Sequence, residues 1–293
     1  MKDFKLGFIG YGEAAYLISK GLKENGLANQ YVYDINANDT LLGPGIKERV
    51  EKNNVSLLAS YEELFNKASI ILCATSAKVA LNIAENIAPY LTEQHIYIDL
   101  NASSPMIQES IGSVINKTKA KFVDVAIMES VPSYQHKVPM FISGDGSNFF
   151  SEFAELYGLN VRIIHENPGT SSAIKMFRSI FMKGVTNLLI ETLEASEKYD
   201  VTDIVLDSLN NSITKQPLNV TANNLITRTG IHAERRISEM EEVIKTLKEI
   251  NIKPLMSEAT KNKLQQIVDN NIREQLNDRI PKSYKQVINL IDQ

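Results

Sequence analysis

Short apolar runs alternate with helix-length amphipathic segments over the first half of the chain, and this alternation limits the possible folds more than any other feature. The runs predict strands at residues 5–9, 31–34, 70–74, 96–100, 122–126, 140–143 and 161–164. Because helix-length segments separate the first five runs, the pattern favours an α/β domain with a mainly parallel, doubly wound sheet covered by helices on both faces.

Two of the intervening helices have recognisable starts. Ser60 and Glu63 have the spacing of a capping box, in which a hydroxyl and a carboxylate each accept a hydrogen bond from an otherwise unpaired backbone amide. Ser103-Ser104-Pro105 places a capping hydroxyl just before a proline in the first helical turn. Both signals predict that a helix follows the preceding loop.

The pattern changes after Asn167-Pro168-Gly169. Beyond it, a 3.6-residue period predicts only helices, at roughly residues 170–197, 201–226, 230–251, 256–275 and 281–291, with Gly230 and Pro254 at two of the breaks. A chain of 293 residues is long enough for two cores. We therefore predict an α/β domain over residues 1–165 and an all-α domain over residues 166–293 that begins with a long connecting helix.

Composition excludes several classes of partner. The 31 basic and 35 acidic residues give a formal net charge of −4, so we expect no binding to nucleic acid or to an anionic membrane. No segment approaches the roughly 18 apolar residues of a membrane span, and the N-terminus leads into a glycine-punctuated strand rather than a signal-peptide core. Cys73, the only cysteine, lies in an apolar run, which predicts a buried residue and a reducing compartment. We expect a cytoplasmic protein.

A glycine-rich turn follows the first predicted strand. Gly10, Gly12 and Ala15 form the pattern G-x-G-x-x-A. The first glycine permits a tight turn, the second lets the backbone approach a pyrophosphate, and the alanine keeps helix and strand close. The amide end of the following helix then faces the phosphates. With a strand before it and an amphipathic helix after it, this turn predicts a dinucleotide-binding Rossmann-type domain.

An acid at the end of the second predicted strand supports the same interpretation. Asp34 lies 24 residues after Gly10 and can accept hydrogen bonds from both ribose hydroxyls of NAD, while its charge would repel the 2′-phosphate of NADP. No basic residue follows it directly, which favours NAD, although a basic residue from another loop would permit NADP. The predicted cofactor contacts are Gly10, Tyr11, Gly12, Glu13, Ala14, Ala15, Asp34, Ala74, Thr75 and Asn101.

The chain also resembles the β-hydroxyacid dehydrogenase family, which includes 3-hydroxyisobutyrate dehydrogenases and the cofactor domain of 6-phosphogluconate dehydrogenase. The resemblance rests on residues 7–12 (GFIGYG), 97–105 (YIDLNASSP), 123–126 (VDVA) and 169–175 (GTSSAIK). It implies a Rossmann domain followed by a helical domain, and hydride transfer with NAD or NADP. It further implies that the second segment lies along the cofactor, that the third starts the substrate loop, and that Lys175 is catalytic.

The chain departs from this family at two places. Members of the family usually continue the substrate loop with Ser-Gly-Gly, where this chain has Met128-Glu129-Ser130, and they tend to have asparagine at the position of Ser179. The helix containing His-Ala-x-Arg-Arg at residues 232–236 resembles a poorly characterised branch of the family. The resemblance therefore implies the fold, the cofactor and the type of reaction more directly than it implies the substrate.

Lys175, Ser179, Lys183 and Thr186 share one polar stripe of the predicted long helix, since successive residues turn by about 100°. The other positions are mostly apolar, so we expect this helix to be buried and its stripe to face a cavity. There Lys175 would act as general acid and base, with Ser179 orienting it, and burial together with the cations Arg178 and Lys183 would lower the pKa of Lys175. On periodicity alone, a solvated lysine on an amphipathic helix explains the stripe equally well.

A second polar cluster lies on a later helix. His232, Arg235, Arg236 and Glu239 follow the spacing i, i+3, i+4, i+7 and share one face, and Arg236 points toward the apolar side. A buried arginine needs an anionic partner. Either Arg236 forms a structural ion pair with Glu239 or another carboxylate, or Arg236 and His232 line the substrate pocket and select an anionic group.

The remaining candidates complete the predicted site. Ser103 contacts cofactor or substrate, or else caps a helix. The histidines His95, His136 and His165 have no partners at metal-ligand spacing, so we predict no metal. The predicted substrate-binding residues are Ser103, Met128, Glu129, Ser130, His232 and Arg236.

These observations together predict an oxidoreductase that transfers a hydride between nicotinamide and a hydroxyl or carbonyl carbon of a small anionic substrate. We expect its site in the cleft between the two domains and expect a homodimer that covers part of the apolar helices. Two alternatives remain. One is an imine reductase, which shares this architecture, and the other is a non-catalytic NAD(H)-binding or sensing protein, since the Ser-Gly-Gly loop is lost.

Overall fold

A computed structural model describes residues 4–291 of the chain. They form two compact units, which divide between Ile180 and Phe181 inside one long helix. The boundary predicted from sequence, between residues 165 and 166, coincides with the end of the last strand at His165.

The first unit contains an eight-stranded sheet in the order β3-β2-β1-β4-β5-β6-β7-β8. Only the β6–β7 pairing is antiparallel. The strands are β1 Leu6–Ile9, β2 Gln30–Tyr33, β3 Ser56–Leu57, β4 Ile70–Cys73, β5 Ile96–Asp99, β6 Lys121–Ile127, β7 Met140–Ser143 and β8 Val161–His165. All seven predicted strands are confirmed. The added strand, β3, has two residues and is too short to show a period.

Helices cover both faces of this sheet. They are α1 Glu13–Glu24, α2 Gly43–Asn53, α3 Tyr61–Lys67, α4 Ala80–Ile87, α5 Pro105–Asn116, α6 Val131–Tyr134, α7 Ser147–Tyr157 and the start of α8 Thr170–Lys198. Both predicted starts are confirmed, because the Ser60 hydroxyl accepts a hydrogen bond from the Glu63 amide (3.1 Å) and the Ser104 hydroxyl accepts one from Ile107 (3.4 Å). The Glu63 carboxylate accepts from Ala59 (2.9 Å).

The central strands are buried on both faces, which explains their continuous apolar sequence. Phe8 and Ile98 pack into the cluster on one face, whereas Ile9, Ile71 and Tyr97 pack into the cluster on the other. Because side chains alternate along a strand, each short run contributes to two cores at once. This double burial fixes the register of the strands and the position of their carboxyl ends.

Within the described residues the second unit is entirely helical. It contains the rest of α8, then α9 Thr202–Ile213, α10 Leu218–Glu249, α11 Leu255–Asp269, α12 Ile272–Gln275 and α13 Tyr284–Ile291. Its small core comprises Ala233, Leu264, Ile267, Ile272 and Val287. Between residues 4 and 291, no helix combines the length and the apolar character needed to cross a membrane.

Three helix predictions in this unit were wrong. The segment predicted at 256–275 forms two helices, because α11 ends at Asp269 and α12 begins at Ile272. The segment predicted at 201–226 is interrupted because α9 ends before Pro217, which cannot continue a helix. The break predicted at Gly230 is absent, since α10 runs through that position and deviates from helical geometry only at His232 (φ −111°, ψ 21°). Gly230 serves packing instead, because a Cβ atom there would lie 3.1 Å from the side chain of Val287.

Candidate functional site

A cavity of about 530 Å³ lies at the carboxyl ends of β1, β2 and β4. From β1 the sheet continues to β2 on one side and to β4 on the other, so the cavity lies where the direction of the strand order reverses. Ligands of open α/β sheets bind at this point, because the loops on either side of it diverge and leave a crevice. The sheet topology alone therefore makes this cavity a candidate binding site.

The glycine-rich turn forms one wall of the cavity. Gly10 has φ +81°, and a Cβ atom there would lie 2.6 Å from the carbonyl oxygen of Ala74, so only glycine fits without strain. Gly12 is the N-cap of α1, and a Cβ atom there would meet nothing within 4 Å. The turn is therefore tight against β4 at Gly10 and open toward the cavity at Gly12.

Tyr11 is among the residues that line the cavity, and its side chain is fully buried. The Tyr11 hydroxyl is hydrogen-bonded to Ser19 (2.7 Å) and accepts a hydrogen bond from the Asn53 amide (3.0 Å). Burial is the main cause that raises the pKa of Tyr11. The hydroxyl of Tyr11 thus links the turn to α1 and α2.

Asp34 follows β2 and lines the same cavity. One carboxylate oxygen accepts a hydrogen bond from the Tyr11 amide (2.8 Å) and the other accepts one from the Asn36 amide (2.9 Å). The acid predicted from the end of the second strand is therefore held next to the glycine-rich turn, and each of its oxygens keeps further lone pairs for a ligand.

Ala74 and Thr75 line the cavity from the end of β4. The Asn101 side-chain oxygen accepts hydrogen bonds from the Thr75 amide (2.8 Å) and hydroxyl (3.3 Å), while its nitrogen donates to Asp99 (3.0 Å). Burial raises the pKa of Asp99 to about 6. Asn101 thus holds the loop after β4 in place from behind the cavity wall.

The structure divides the predicted cofactor residues into two groups. Those that line the cavity are Gly10, Tyr11, Gly12, Asp34, Ala74 and Thr75, and those that do not are Glu13, Ala14, Ala15 and Asn101. Sequence reasoning missed Arg49 of α2, which also lines the cavity. No sequence signal placed it there, because α2 is positioned only by its packing on the sheet.

Lys175 lies half-buried in the second turn of α8. Burial lowers the pKa of Lys175, and the negative charge of Asp124 opposes that shift. The prediction that the cations Arg178 and Lys183 contribute to the lowering was wrong, because neither is among its causes, and the Arg178 guanidinium pairs with the Glu129 carboxylate (3.1 Å). Removal of the lysine from water is the cause that remains.

Asp124, fully buried in β6, fixes the start of α8. One carboxylate oxygen accepts hydrogen bonds from the amides of Gly169 (3.0 Å) and Ser172 (3.2 Å) and from the hydroxyls of Ser171 (2.7 Å) and Ser143 (3.2 Å). The other accepts from the Ser172 hydroxyl (2.7 Å). Sequence reasoning assigned Asp124 only to the start of the substrate loop. The two hydroxyls of Ser171 and Ser172, shortly after Gly169, were the sequence feature that could have indicated a carboxylate partner.

The loop after β6 brings two predicted substrate residues against α8. Arg178 pairs with Glu129, and it also donates a longer hydrogen bond to the Met128 carbonyl (3.4 Å). Ser130 is exposed and precedes α6 without capping it through its side chain. Where members of the resembled family usually have Ser-Gly-Gly, this chain therefore has a loop whose Glu129 forms a surface ion pair with Arg178.

Two predicted serines have unexpected surroundings. Ser104, not Ser103, caps α5, so the capping alternative for Ser103 was wrong. The Ser103 hydroxyl is buried and has no hydrogen-bond partner among the described residues. The Ser179 hydroxyl donates to the carbonyl of Lys175 (3.0 Å), one helical turn earlier.

His232 and Arg236 belong to the second unit. His232 is exposed at the deviation in α10, and the half-buried Arg236 donates a hydrogen bond to the Thr229 hydroxyl. The alternative of an ion pair between Arg236 and Glu239 was wrong, because a carboxylate oxygen of Glu239 pairs with the Nε of Arg235 instead (3.6 Å). In the part of the chain that the structure describes, no carboxylate pairs with Arg236.

Comparisons with known proteins agree with this architecture. A domain of unknown function (DUF1932) matches residues 196–267. An uncharacterised 28.5 kDa protein of Methanothermus fervidus is 27% identical over 265 residues, which are 90% of this chain and 98% of that protein. An imine reductase variant of Myxococcus stipitatus, solved with NAD⁺, is 16% identical over the full length of both chains, with a TM-score of 0.77.

A further solved structure shows the family. It is a conserved protein of unknown function with structural similarity to 3-hydroxyacid dehydrogenases, and it is 30% identical over 93% of this chain and 99% of its own, with a TM-score of 0.63. The chain belongs to this 3-hydroxyacid dehydrogenase-like family. The resemblance stated from the sequence is thereby confirmed.

The Asp124 cluster leads to a prediction about stability and about Lys175. We expect Asp124→Asn to reduce the free energy of unfolding by about 3 kcal/mol, because the amide nitrogen faces donors that then lose their acceptor. The pKa of Lys175 should fall further, since the charge that favours its protonated form is gone. Denaturant unfolding and carbon-13 NMR of reductively methylated lysines measure the two effects. Asp203→Asn, at an exposed position, is the control, and equal effects of both variants would contradict the assignment.

Proposed function

We propose that this chain is an oxidoreductase that uses NAD or NADP, with the dinucleotide in the cavity at the ends of β1, β2 and β4. The observation that supports this most directly is the glycine-rich turn, which is tight at Gly10 and open at Gly12. A pyrophosphate can approach the backbone at Gly12 and the amides that begin α1, while Asp34 accepts hydrogen bonds from the ribose hydroxyls. The donor set and the shape of the cavity therefore fit a dinucleotide.

The proposed reaction uses Lys175 as general acid and base. The bound nicotinamide would supply or accept the hydride. Lys175 donates a proton to the carbonyl oxygen during reduction and takes it back from the hydroxyl during oxidation. Burial lowers the pKa of Lys175 toward the range in which both directions are practicable, and the Asp124 cluster fixes the helix that carries it. Ser179 is proposed to orient the lysine through their shared helical turn.

The proposed substrate is small and anionic. Arg236 is half-buried without a carboxylate partner among the described residues, which leaves its charge available to an anion. We propose that Arg236 and His232 bind that group. Ser103, Met128, Glu129 and Ser130 remain predicted substrate-binding residues of the first unit. The ion pair between Glu129 and Arg178 replaces the amides and hydroxyl of the usual loop. Because of this replacement, we propose that the substrate differs from the small hydroxyacids of the family.

A fluorescence titration with NADH and with NADPH tests the proposed cofactor. The wild-type protein should bind at least one of them, and Gly12→Leu should weaken that binding by about tenfold or more, because the new side chain fills the space beside the turn. Folding should be unaffected, since a Cβ atom at Gly12 meets nothing within 4 Å. Gly184→Leu, at a position outside the cavity where a Cβ atom also meets nothing within 4 Å, controls for the added side chain. Binding of neither nucleotide by the wild type would overturn the proposal.

Replacing Lys175 separates an enzyme from a sensing protein. On a panel of hydroxyacids, aldehydes and imines, Lys175→Met should lower turnover by about 10²- to 10⁴-fold while NADH affinity stays unchanged, because general acid–base catalysis contributes an effect of this size. Lys198→Met, at the exposed end of the same helix, should keep its activity. A protein that binds NADH but turns over nothing on the panel would be a sensor, contrary to the proposal.

Imine reduction is a second candidate activity. The observation that favours it is the likeness of the fold to imine reductases from Myxococcus stipitatus and Aspergillus terreus. A lysine is an unusual proton donor for imines, so carbonyl chemistry remains the first proposal. The same substrate panel distinguishes the two, since an imine reductase would act on cyclic imines and leave hydroxyacids unchanged.

We further propose that α8 is covered by a second copy of the chain. The sequence predicted that this helix is buried, but in the single chain several large apolar residues are exposed, among them Phe177 (63%), Ile180 (72%) and Phe181 (50%). A continuous apolar strip of this length on one helix is a typical subunit interface. A homodimer would restore the burial that the sequence pattern predicts.

Sedimentation of the purified protein tests this interface. The wild type should sediment at twice the chain mass of 32.8 kDa, and Phe177→Glu should sediment as a single chain, because a buried unpaired carboxylate is incompatible with an apolar interface. Met106→Glu changes an equally exposed apolar residue on α5 and should leave the dimer intact. A monomeric wild type would contradict the proposal.

A further inference from the structure

One arginine of the proposed cofactor cavity is not used by the function described so far. Arg49 is half-buried on α2, and its Nε donates a hydrogen bond to the Tyr11 carbonyl (3.0 Å). Its neighbour Glu48 pairs with Lys52 (2.6 Å). Within residues 4–291, no carboxylate pairs with Arg49, and no acceptor binds its two terminal nitrogens. A half-buried guanidinium in a cavity, anchored only at Nε, is suited to bind an anion from a ligand.

Asp34 and Arg49 both form hydrogen bonds with the backbone of Tyr11. The carboxylate accepts from the Tyr11 amide and the guanidinium donates to the Tyr11 carbonyl. They line one cavity without forming an ion pair with each other. Both oxygens of Asp34 also accept backbone amides, from Tyr11 and Asn36, which offsets part of its negative charge. The acid is therefore a weaker barrier to a nearby phosphate than its charge alone suggests.

We propose that Arg49 binds the 2′-phosphate of NADP(H), so that the cavity accepts NADP(H) as well as NAD(H). The inference rests on the proposed dinucleotide function of the cavity. If Asp34 binds the adenosine ribose, Arg49 lies at the same end, because both residues contact the backbone of Tyr11. The pyrophosphate already has the amides at Gly12 and the start of α1. The fork of donors on an arginine matches phosphate oxygens in pairs, which suits the remaining phosphate.

The experiment compares NADH and NADPH by fluorescence titration in four proteins: the wild type, Arg49→Gln, Arg49→Lys and Lys47→Gln. The glutamine keeps a donor for the Tyr11 carbonyl but removes the charge. The lysine keeps the charge without the fork. Lys47 lies exposed on the same helix and outside the cavity, so its replacement controls for general loss of positive charge. Denaturant unfolding of each variant confirms that the turn is intact.

We expect the wild type to bind NADPH within about tenfold of NADH. Arg49→Gln should weaken NADPH binding by about tenfold to a hundredfold, which is the usual effect of losing charge-assisted hydrogen bonds, and should change NADH binding by no more than about threefold. The NADPH affinity of Arg49→Lys should lie between those of the wild type and Arg49→Gln, and Lys47→Gln should bind both nucleotides as the wild type does. In competition, adenosine 2′,5′-bisphosphate should displace NADPH better than 5′-AMP in the wild type, and this advantage should disappear in Arg49→Gln.

Other outcomes overturn the inference in distinguishable ways. Equal weakening of NADH and NADPH by Arg49→Gln would assign Arg49 to the pyrophosphate or to the turn. A wild type that binds NADH but not NADPH would leave the proposed function intact and remove the role of Arg49. Binding of neither nucleotide would overturn the proposed function, and the inference with it.

Discussion

The buried carboxylate of Asp124 is the interaction on which the candidate catalytic region depends. A buried carboxylate is stable only when hydrogen-bond donors replace the water around it. The Asp124 carboxylate accepts five hydrogen bonds from β7 and from the start of α8. The same donors include amides of the first helical turn, which would otherwise be unpaired. One charge therefore joins β6 and β7 to the start of α8, and so fixes the orientation of the helix that carries Lys175.

The cavity at the other strand ends is held by a different kind of constraint. There the backbone approaches itself closely, at Gly10 against Ala74, and side chains only support the turn from below. Asn101 and Tyr11 act from the rear of the wall, whereas Asp34 and Arg49 face the space itself. Backbone geometry thus shapes this cavity, and a small number of charged groups would decide which ligand it accepts.

Local patterns were sufficient to predict seven of the eight strands, the glycine-rich turn and the position of Asp34, because each depends on residues close in sequence. The partners of Asp124 and the presence of Arg49 in the cavity depend on how distant elements pack, so no periodicity could reveal them. Gly230 shows the converse error, since a residue that normally ends helices is retained inside α10 for its contact with Val287. The apolar pattern of α8 predicts that the helix is covered, but it does not identify the residues that are exposed in the single chain, because it does not say which surface covers them.

That exposed face has a consequence for proton transfer. Phe177 lies two residues from Lys175, and in the single chain it is largely in contact with water. Successive residues of a helix turn by about 100°, so Phe177, Ile180 and Phe181 lie on the side of α8 opposite to Lys175. A second copy that covers them would leave the water around Lys175 unchanged. Assembly and proton transfer would then use opposite sides of one helix, and dilution would change the mass of the protein without changing the proton affinity of Lys175.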